Sequence, residues 1–185
     1  MERTEIRKLT LAAMFLGLGY VLPLLIGQIP QVGMMLLPMH IPVFLCGLIC
    51  GWKYGGVVGF VLPVTRSMIF GMPPMFPYAM SMSLELAVYG LVVGLVFGLV
   101  RHQNLLTLYF SIIISMIAGR IVWGLTMWVL LTVGEGAFTL QAFIAGAFVN
   151  AFPGIILQLV LLPAVMIILN RVGLVSFRKS AVSMP

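Results

Sequence analysis

Residues 79–100 read AMSMSLELAVYGLVVGLVFGLV, with one charge, Glu85, and no proline. At about 1.5 Å per residue, this run is long enough to cross a hydrocarbon core of roughly 30 Å as a single helix. Apolar residues occupy every face of it, so no stripe is left for water. A helix apolar all round is either buried in a large protein or set in lipid, and the rest of the chain decides between the two.

Of the 185 residues, 62% are hydrophobic and 8% are charged, and mean hydropathy is +1.21. A soluble domain carries about a quarter charged residues. Ten Lys and Arg with four Asp and Glu cannot cover a globule of this size, and the apolar remainder would aggregate in water. Lipid is therefore the main solvent. Gly, Pro and charge divide the chain into further apolar runs at 9–27, 36–51, 54–70, 105–133 and 140–170. With 79–100 they predict an all-α integral membrane protein, a bundle of six transmembrane helices forming a single domain over residues 1–185. Residues 36–51 are the weakest span, because the run is short, begins at Pro38 and carries Pro42; a tilted, kinked or partly re-entrant helix is expected there. The runs 105–133 and 140–170 exceed the bilayer thickness and should tilt or project.

The basic residues give an independent check, because Lys and Arg in short loops favour the cytoplasm. With the N-terminus inside, Arg3, Arg7, Lys8, Lys53, Arg101, Arg171, Arg178 and Lys179 all fall on the inner side. The outer loops near 28–35, 71–78 and 134–139 hold no Lys or Arg. Both termini are accordingly expected in the cytoplasm. The net charge of +6 is then a consequence of topology, and nucleic acid is not an expected partner. The first apolar run follows Arg3, Arg7 and Lys8 but is longer than a signal-peptide core and lacks an A-x-A site, so it reads as a retained first helix.

Small residues recur at a spacing of four, which places them on one helix face where another helix can approach closely. They are Ala13 and Gly17 in the first run, Gly55 and Gly59 in the third, and Gly90, Gly94 and Gly98 in the fourth. Cys46 and Cys50 lie inside an apolar segment with no ligand cluster nearby and read as packing residues; no metal or other cofactor is expected.

Charges at membrane depth are costly unless paired or facing water, and by default they mark function. Arg66, Glu85 and Arg120 are such charges, joined by the polar residues His40, Asn150 and Gln158. Apart from the deeper Gln158, they fall between the midplane and the outside, which suggests a cup open to the exterior rather than a pore. One carboxylate cannot neutralise two guanidinium groups. The surplus positive charge offers a seat for an anionic ligand group, since Arg presents a planar fork suited to carboxylate or phosphate. The competing role for Glu85 is to pair with one arginine and hold the bundle together. Phe76, Tyr78, Trp123, Trp128 and Phe152 lie near the same level and could wall a pocket or form an interfacial belt; the loops holding Gly71 to Pro77 and Gln28 to Gly33 could cover it.

These features together resemble the substrate-binding S component of an energy-coupling-factor vitamin transporter. The resemblance rests on chain length, six spans, the basic N-terminus leading to Ala13 and Gly17, and the stretches Leu37 to Pro42, Gly47 to Gly59, Gly119 to Gly124 and Ala145 to Gly154. It is greatest toward the pantothenate-type group. The resemblance implies a multi-pass protein of the bacterial cell membrane, not an enzyme, that binds a water-soluble vitamin in the outer half of the bundle. His40, Arg66, Glu85, Arg120, Trp123, Asn150 and Gln158 are the candidate substrate-binding residues. It also implies docking onto a transmembrane coupling protein and two cytoplasmic ATPase subunits, with Ala13 and Gly17 in the position of the A-x-x-x-A docking motif, Gly replacing the second Ala. No P-loop occurs in the chain, so ATP hydrolysis would come from those partners. Riboflavin, folate, biotin and pyridoxine-type substrates remain alternatives. An intramembrane enzyme would need paired acids with histidines, or a Ser/His dyad, at one depth, whereas Glu85 is the single intramembrane acid and His102 falls in an inner loop. A ligand-free scaffold or channel subunit is the remaining class.

Overall fold

A computed structural model describes residues 2–25, 35–133, 139–175 and 177. Among these residues the chain is helical and contains no strand. Helix α1 spans Glu2–Leu25, α2 His40–Cys50, α3 Trp52–Phe70, α4 Met80–Leu99, α5 Leu105–Val133, α6 Leu140–Ile144 and α7 Phe152–Arg171. Short π-helical turns, Met75–Ala79 and Ala145–Val149, lead into α4 and continue α6. The outer loop at 28–34, residues 134–138, and Arg178 and Lys179 lie outside the described residues.

Four of the expected spans are long and apolar enough to cross a membrane: α1, α4 with its preceding turn, α5, and the run from Leu140 to Arg171. Large apolar side chains such as Leu99, Leu106, Ile121 and Val160 cover the outside of the bundle. In water such a surface would be an aggregation site, whereas in lipid it is the ordinary exterior.

The second run departs from a full-length span. α2 has 11 residues, about 16 Å at 1.5 Å per residue, and ten of them are buried. It is the axis of the bundle, packed against α1, α3, α4 and α7. Leu37 adopts φ 51° just before it, a left-handed conformation unusual for a branched residue. The helix ends at Gly51, φ 95°, a single residue that reverses the chain directly into α3.

Glycine makes this reversal possible. A Cβ on Gly55 would stand 2.6 Å from Gly47 Cα and 2.6 Å from the Gly90 carbonyl oxygen. A Cβ on Gly94 would stand 2.5 Å from the Trp52 backbone nitrogen. The backbones of α2, α3 and α4 therefore touch one another at a knot of Gly47, Gly55, Gly90 and Gly94. Gly59 joins it by packing on the backbone at Leu86 and Ala87. Gly98 has open space around it and takes no part, because it lies beyond the crossing.

The last run is one span from Leu140 to Arg171, but not a uniform α-helix. It passes through the π-helical turn Ala145–Val149 and a turn at residues 150–151, where Asn150 and Ala151 keep right-handed helical backbone, before α7 begins with Pro153 in its first turn. Proline lacks the N–H needed within a helix but suits a first turn.

At the end that carries the N-terminus, Tyr54 donates to Glu5 at 2.9 Å, tying α1 to α3. Phe177 folds back against Phe97 with ring centroids 5.8 Å apart, tying the segment after α7 to α4. At the opposite end Tyr20 and Thr65 share a hydrogen bond of 2.7 Å, so α1 and α3 are pinned at both ends.

Candidate functional site

The polar side chains at membrane depth separate into two groups. Glu85 sits five residues into α4 and is fully buried. Its Oε1 receives Arg120 of α5 at 2.9 Å and the Tyr89 hydroxyl at 2.9 Å. Tyr89 lies one turn below Glu85 on the same face of α4, as an i, i+4 spacing requires. Its ring is held by Phe44 at 5.0 Å and His40 at 5.3 Å, and Gly119 leaves space for that ring beside Arg120. His40 Nε2 stands 3.9 Å from Glu85 Oε1, beyond hydrogen-bond distance.

This group joins α2, α4 and α5. Taking a guanidinium and a carboxylate out of water costs several kcal/mol for each ion, and their pairing in a low dielectric offsets that cost. The pair therefore adds little net stability, but removing either member alone strands a buried charge at about 3–5 kcal/mol. Glu85 is thus paired with Arg120, the arrangement expected of a residue that holds the bundle together.

Arg66 belongs to neither Glu85 nor any other acid among the described residues. It lies one turn before the end of α3, is 3% exposed, donates through Nη1 to the Tyr20 carbonyl oxygen at 3.0 Å and lies over the Phe70 ring at 5.0 Å. A guanidinium has five N–H donors, and a backbone carbonyl carries no charge to balance it. Arg66 is the surplus cation of the buried inventory.

Among the described residues, the polar groups expected to line an open cup are, apart from Asn150, buried. His40, Glu85, Arg66, Arg120 and Gln158 are all buried, so the polar groups lie under packed side chains. Phe76, Tyr78, Trp128 and Phe152 point outward and are exposed; they fit an interfacial belt, not a pocket wall. Trp123 is half-buried, stacks on Phe143 at 6.1 Å and rests on Gly146, so it fastens the last segment to α5. Asn150 is exposed in the turn that precedes α7. Gln158 is buried on the inner face of α7.

Two buried groups lack partners. Both ring nitrogens of His40 and the Gln158 Nε2 have no hydrogen bond, at a typical cost of about 1–3 kcal/mol for each buried unmet group. The left-handed Leu37 stands three residues before His40. Strain and unmet polar groups together are characteristic of sites rather than of scaffolding.

Tyr89 was not singled out by the sequence, where it reads as part of an apolar run. Its spacing of four from Glu85 was the available signal. Ala13 and Gly17 are exposed on α1, and a Cβ on Gly17 would meet nothing within 4 Å. The residues of α1 that face the bundle are instead the buried Ala12, Gly19 and Pro23, with Leu11, Phe15, Leu16 and Tyr20 packed against the core, leaving Ala13 and Gly17 exposed.

Residues 7–166 match the family model described as ECF transporter, substrate-specific component. No curated protein and no solved structure matches the chain.

Proposed function

Since the chain belongs to the family of ECF transporter substrate-specific components, we propose that it captures a carboxylate-bearing, water-soluble vitamin, pantothenate being the best candidate, and that Arg66 seats the carboxylate. Membership of the family makes the protein a membrane-embedded substrate-binding subunit of an uptake system, not an enzyme. It also implies association with an energy-coupling module of a transmembrane protein and ATPases. The choice of substrate is our own, and one observation carries it: after Glu85 has taken Arg120, Arg66 is left buried with a carbonyl and an aromatic ring but no acid among the described residues. A ligand carboxylate would supply the missing charge, and the guanidinium fork would hold it through two parallel hydrogen bonds.

The orientation that fits this role has both termini in the cytoplasm of a bacterial cell, with the Arg66 end of α3 outside. The exposed face at Ala13 and Gly17 then serves as the docking surface for the transmembrane coupling protein, where small residues allow close helix approach.

The testing experiment is a binding screen on purified protein in detergent with pantothenate, biotin, folate, riboflavin and pyridoxine. The proposal expects saturable binding of one of the three carboxylate-bearing vitamins. Binding confined to uncharged riboflavin or pyridoxine would remove the anion seat, and binding of none of the five would remove the vitamin reading.

A further inference from the structure

Gly55 and Gly90 bring the backbones of α3 and α4 into contact on the side that faces the core. The lipid-facing side of the same crossing carries a furrow. Trp52 and Gly56 lie one turn apart on α3, as do Lys53 and Val57 beside them. With Leu91 of α4 these residues line a shallow groove of about 310 Å³. A Cβ on Gly56 would stand 3.6 Å from Leu91 Cβ and 3.7 Å from the Ala87 carbonyl oxygen. The two helices are therefore close here, and the groove exists because glycine places no side chain in it. Trp52 and Val57 are exposed along its length.

The groove has one charged end. Lys53 stands in the first turn of α3, at the end of the bundle that carries the N-terminus, with Nζ 5.5 Å from the Trp52 ring centroid. Among the residues whose side chains are described, Lys53 forms no ion pair. Glu5, the acid at this end, is taken by Lys8 at 3.0 Å and by the Tyr54 hydroxyl at 2.9 Å.

We propose that the groove between α3 and α4 binds an anionic phospholipid of the adjacent leaflet, with one acyl chain along Gly56, Val57 and Leu91 and the phosphate on Lys53. Lipid is the solvent on this face, so an apolar furrow in it takes up hydrocarbon. A lysine lays its stem on apolar surface and carries its ammonium to the headgroup level, where tryptophan also concentrates. Basic pockets between helices on the cytoplasmic side of a membrane hold anionic headgroups for this reason. A zwitterionic lipid fits the same furrow, but its own cation competes with Lys53 for the phosphate. The inference needs the membrane setting alone and is independent of the transported substrate.

The test follows the melting temperature of purified protein in detergent during titration with dioleoyl phosphatidylglycerol, dioleoyl phosphatidylcholine, or glycerol phosphate as a headgroup without chains. The variants are Lys53→Gln, Lys53→Arg and Gly56→Leu, the last of which fills the groove. Phosphatidylglycerol should stabilise the wild type and Lys53→Arg at lower concentration than phosphatidylcholine does. Lys53→Gln should need about fivefold more phosphatidylglycerol, the effect of one basic residue at an anionic lipid surface, and Gly56→Leu should lose the response. Equal potency of the two lipids on the wild type, or of phosphatidylglycerol on the wild type and Lys53→Gln, would overturn the proposal. Glycerol phosphate as potent as phosphatidylglycerol would overturn it too, since the chain would then contribute nothing. A folded Gly56→Leu that responds like the wild type would take the chain out of the groove; if that variant does not fold, Lys53→Gln and the two lipids decide. Variants with wild-type lipid responses that fail to copurify with the coupling module would give the groove to that partner and overturn the lipid assignment.

Discussion

Arg120 reaches across from α5 to place its Nη1 2.9 Å from Glu85 Oε1 on α4, in a part of the bundle where both side chains are buried. That single contact divides the buried charges. It makes Glu85 and Arg120 a pair and leaves Arg66 as the buried cation without an acid among the described residues.

The pair predicts an asymmetric response to mutation. Glu85→Gln or Arg120→Met alone should destabilise the bundle by about 3–5 kcal/mol, because each leaves one buried polar or charged group unpaired. The double variant Glu85→Gln with Arg120→Met should recover much of the loss. Thermal melting of the four proteins in detergent closes the double-mutant cycle. Additive losses would show that the two residues do not act as a pair.

Much of this architecture was legible in the sequence, and the reasons differ by element. Helices α3, α4 and α5 are bounded by Gly, Pro or charge, and their apolar runs fix their extents to within a few residues; α1 begins at Glu2, seven residues before its apolar run, because its charged first turns are helical without being apolar. α2 was harder. Its apolar run continues back past Pro38, so hydropathy alone could not reveal that the helix begins only at His40 after a left-handed Leu37. The π-helical turn Ala145–Val149 falls among small apolar residues, where hydropathy does not distinguish it from α-helix. At the site, sequence gives the depth of each charge along its helix but not the direction in which it faces, so the choice between Arg66 and Arg120 as the partner of Glu85 was open until the helices were placed. The same limit applies to Asn150, read only as a polar residue at membrane depth, which lies exposed in a turn.

The glycine knot predicts sharp position dependence. Gly55→Val or Gly90→Val should abolish folding, because each new side chain would meet backbone of a neighbouring helix rather than a flexible side chain. Gly98→Ala should be tolerated, since nothing lies near its Cβ. Monodisperse yield after gel filtration is the measurement, and equal yields for all three would argue against close backbone packing.

The free face of α1 predicts a separation of binding from transport. Ala13→Trp and Gly17→Trp add bulk to an exposed surface, so vitamin binding by the isolated subunit should stay within about twofold of wild type. Uptake in cells that contain the coupling module should fail. Normal uptake in both variants would show that coupling uses another surface.

The one-sided basic residues predict labelling from outside. A cysteine at Met75 should react with an impermeant thiol reagent applied to whole cells, whereas one at His102 should not. The native Cys46 and Cys50 are buried and should contribute little background. Equal labelling at both positions would contradict the orientation.

The most direct test of the central claim is the affinity of wild-type and Arg66→Met protein for pantothenate and for its neutral carboxamide analogue, measured by titration calorimetry. If Arg66 seats the carboxylate, the substitution should weaken acid binding by about 1.5–3 kcal/mol, the range for a hydrogen bond to a charged group, or roughly 10- to 150-fold. The wild-type protein should prefer the acid, and Arg66→Met should bind the two forms almost equally. A wild-type protein that binds acid and amide with the same affinity, or an Arg66→Met protein that keeps full preference for the acid, would contradict the account.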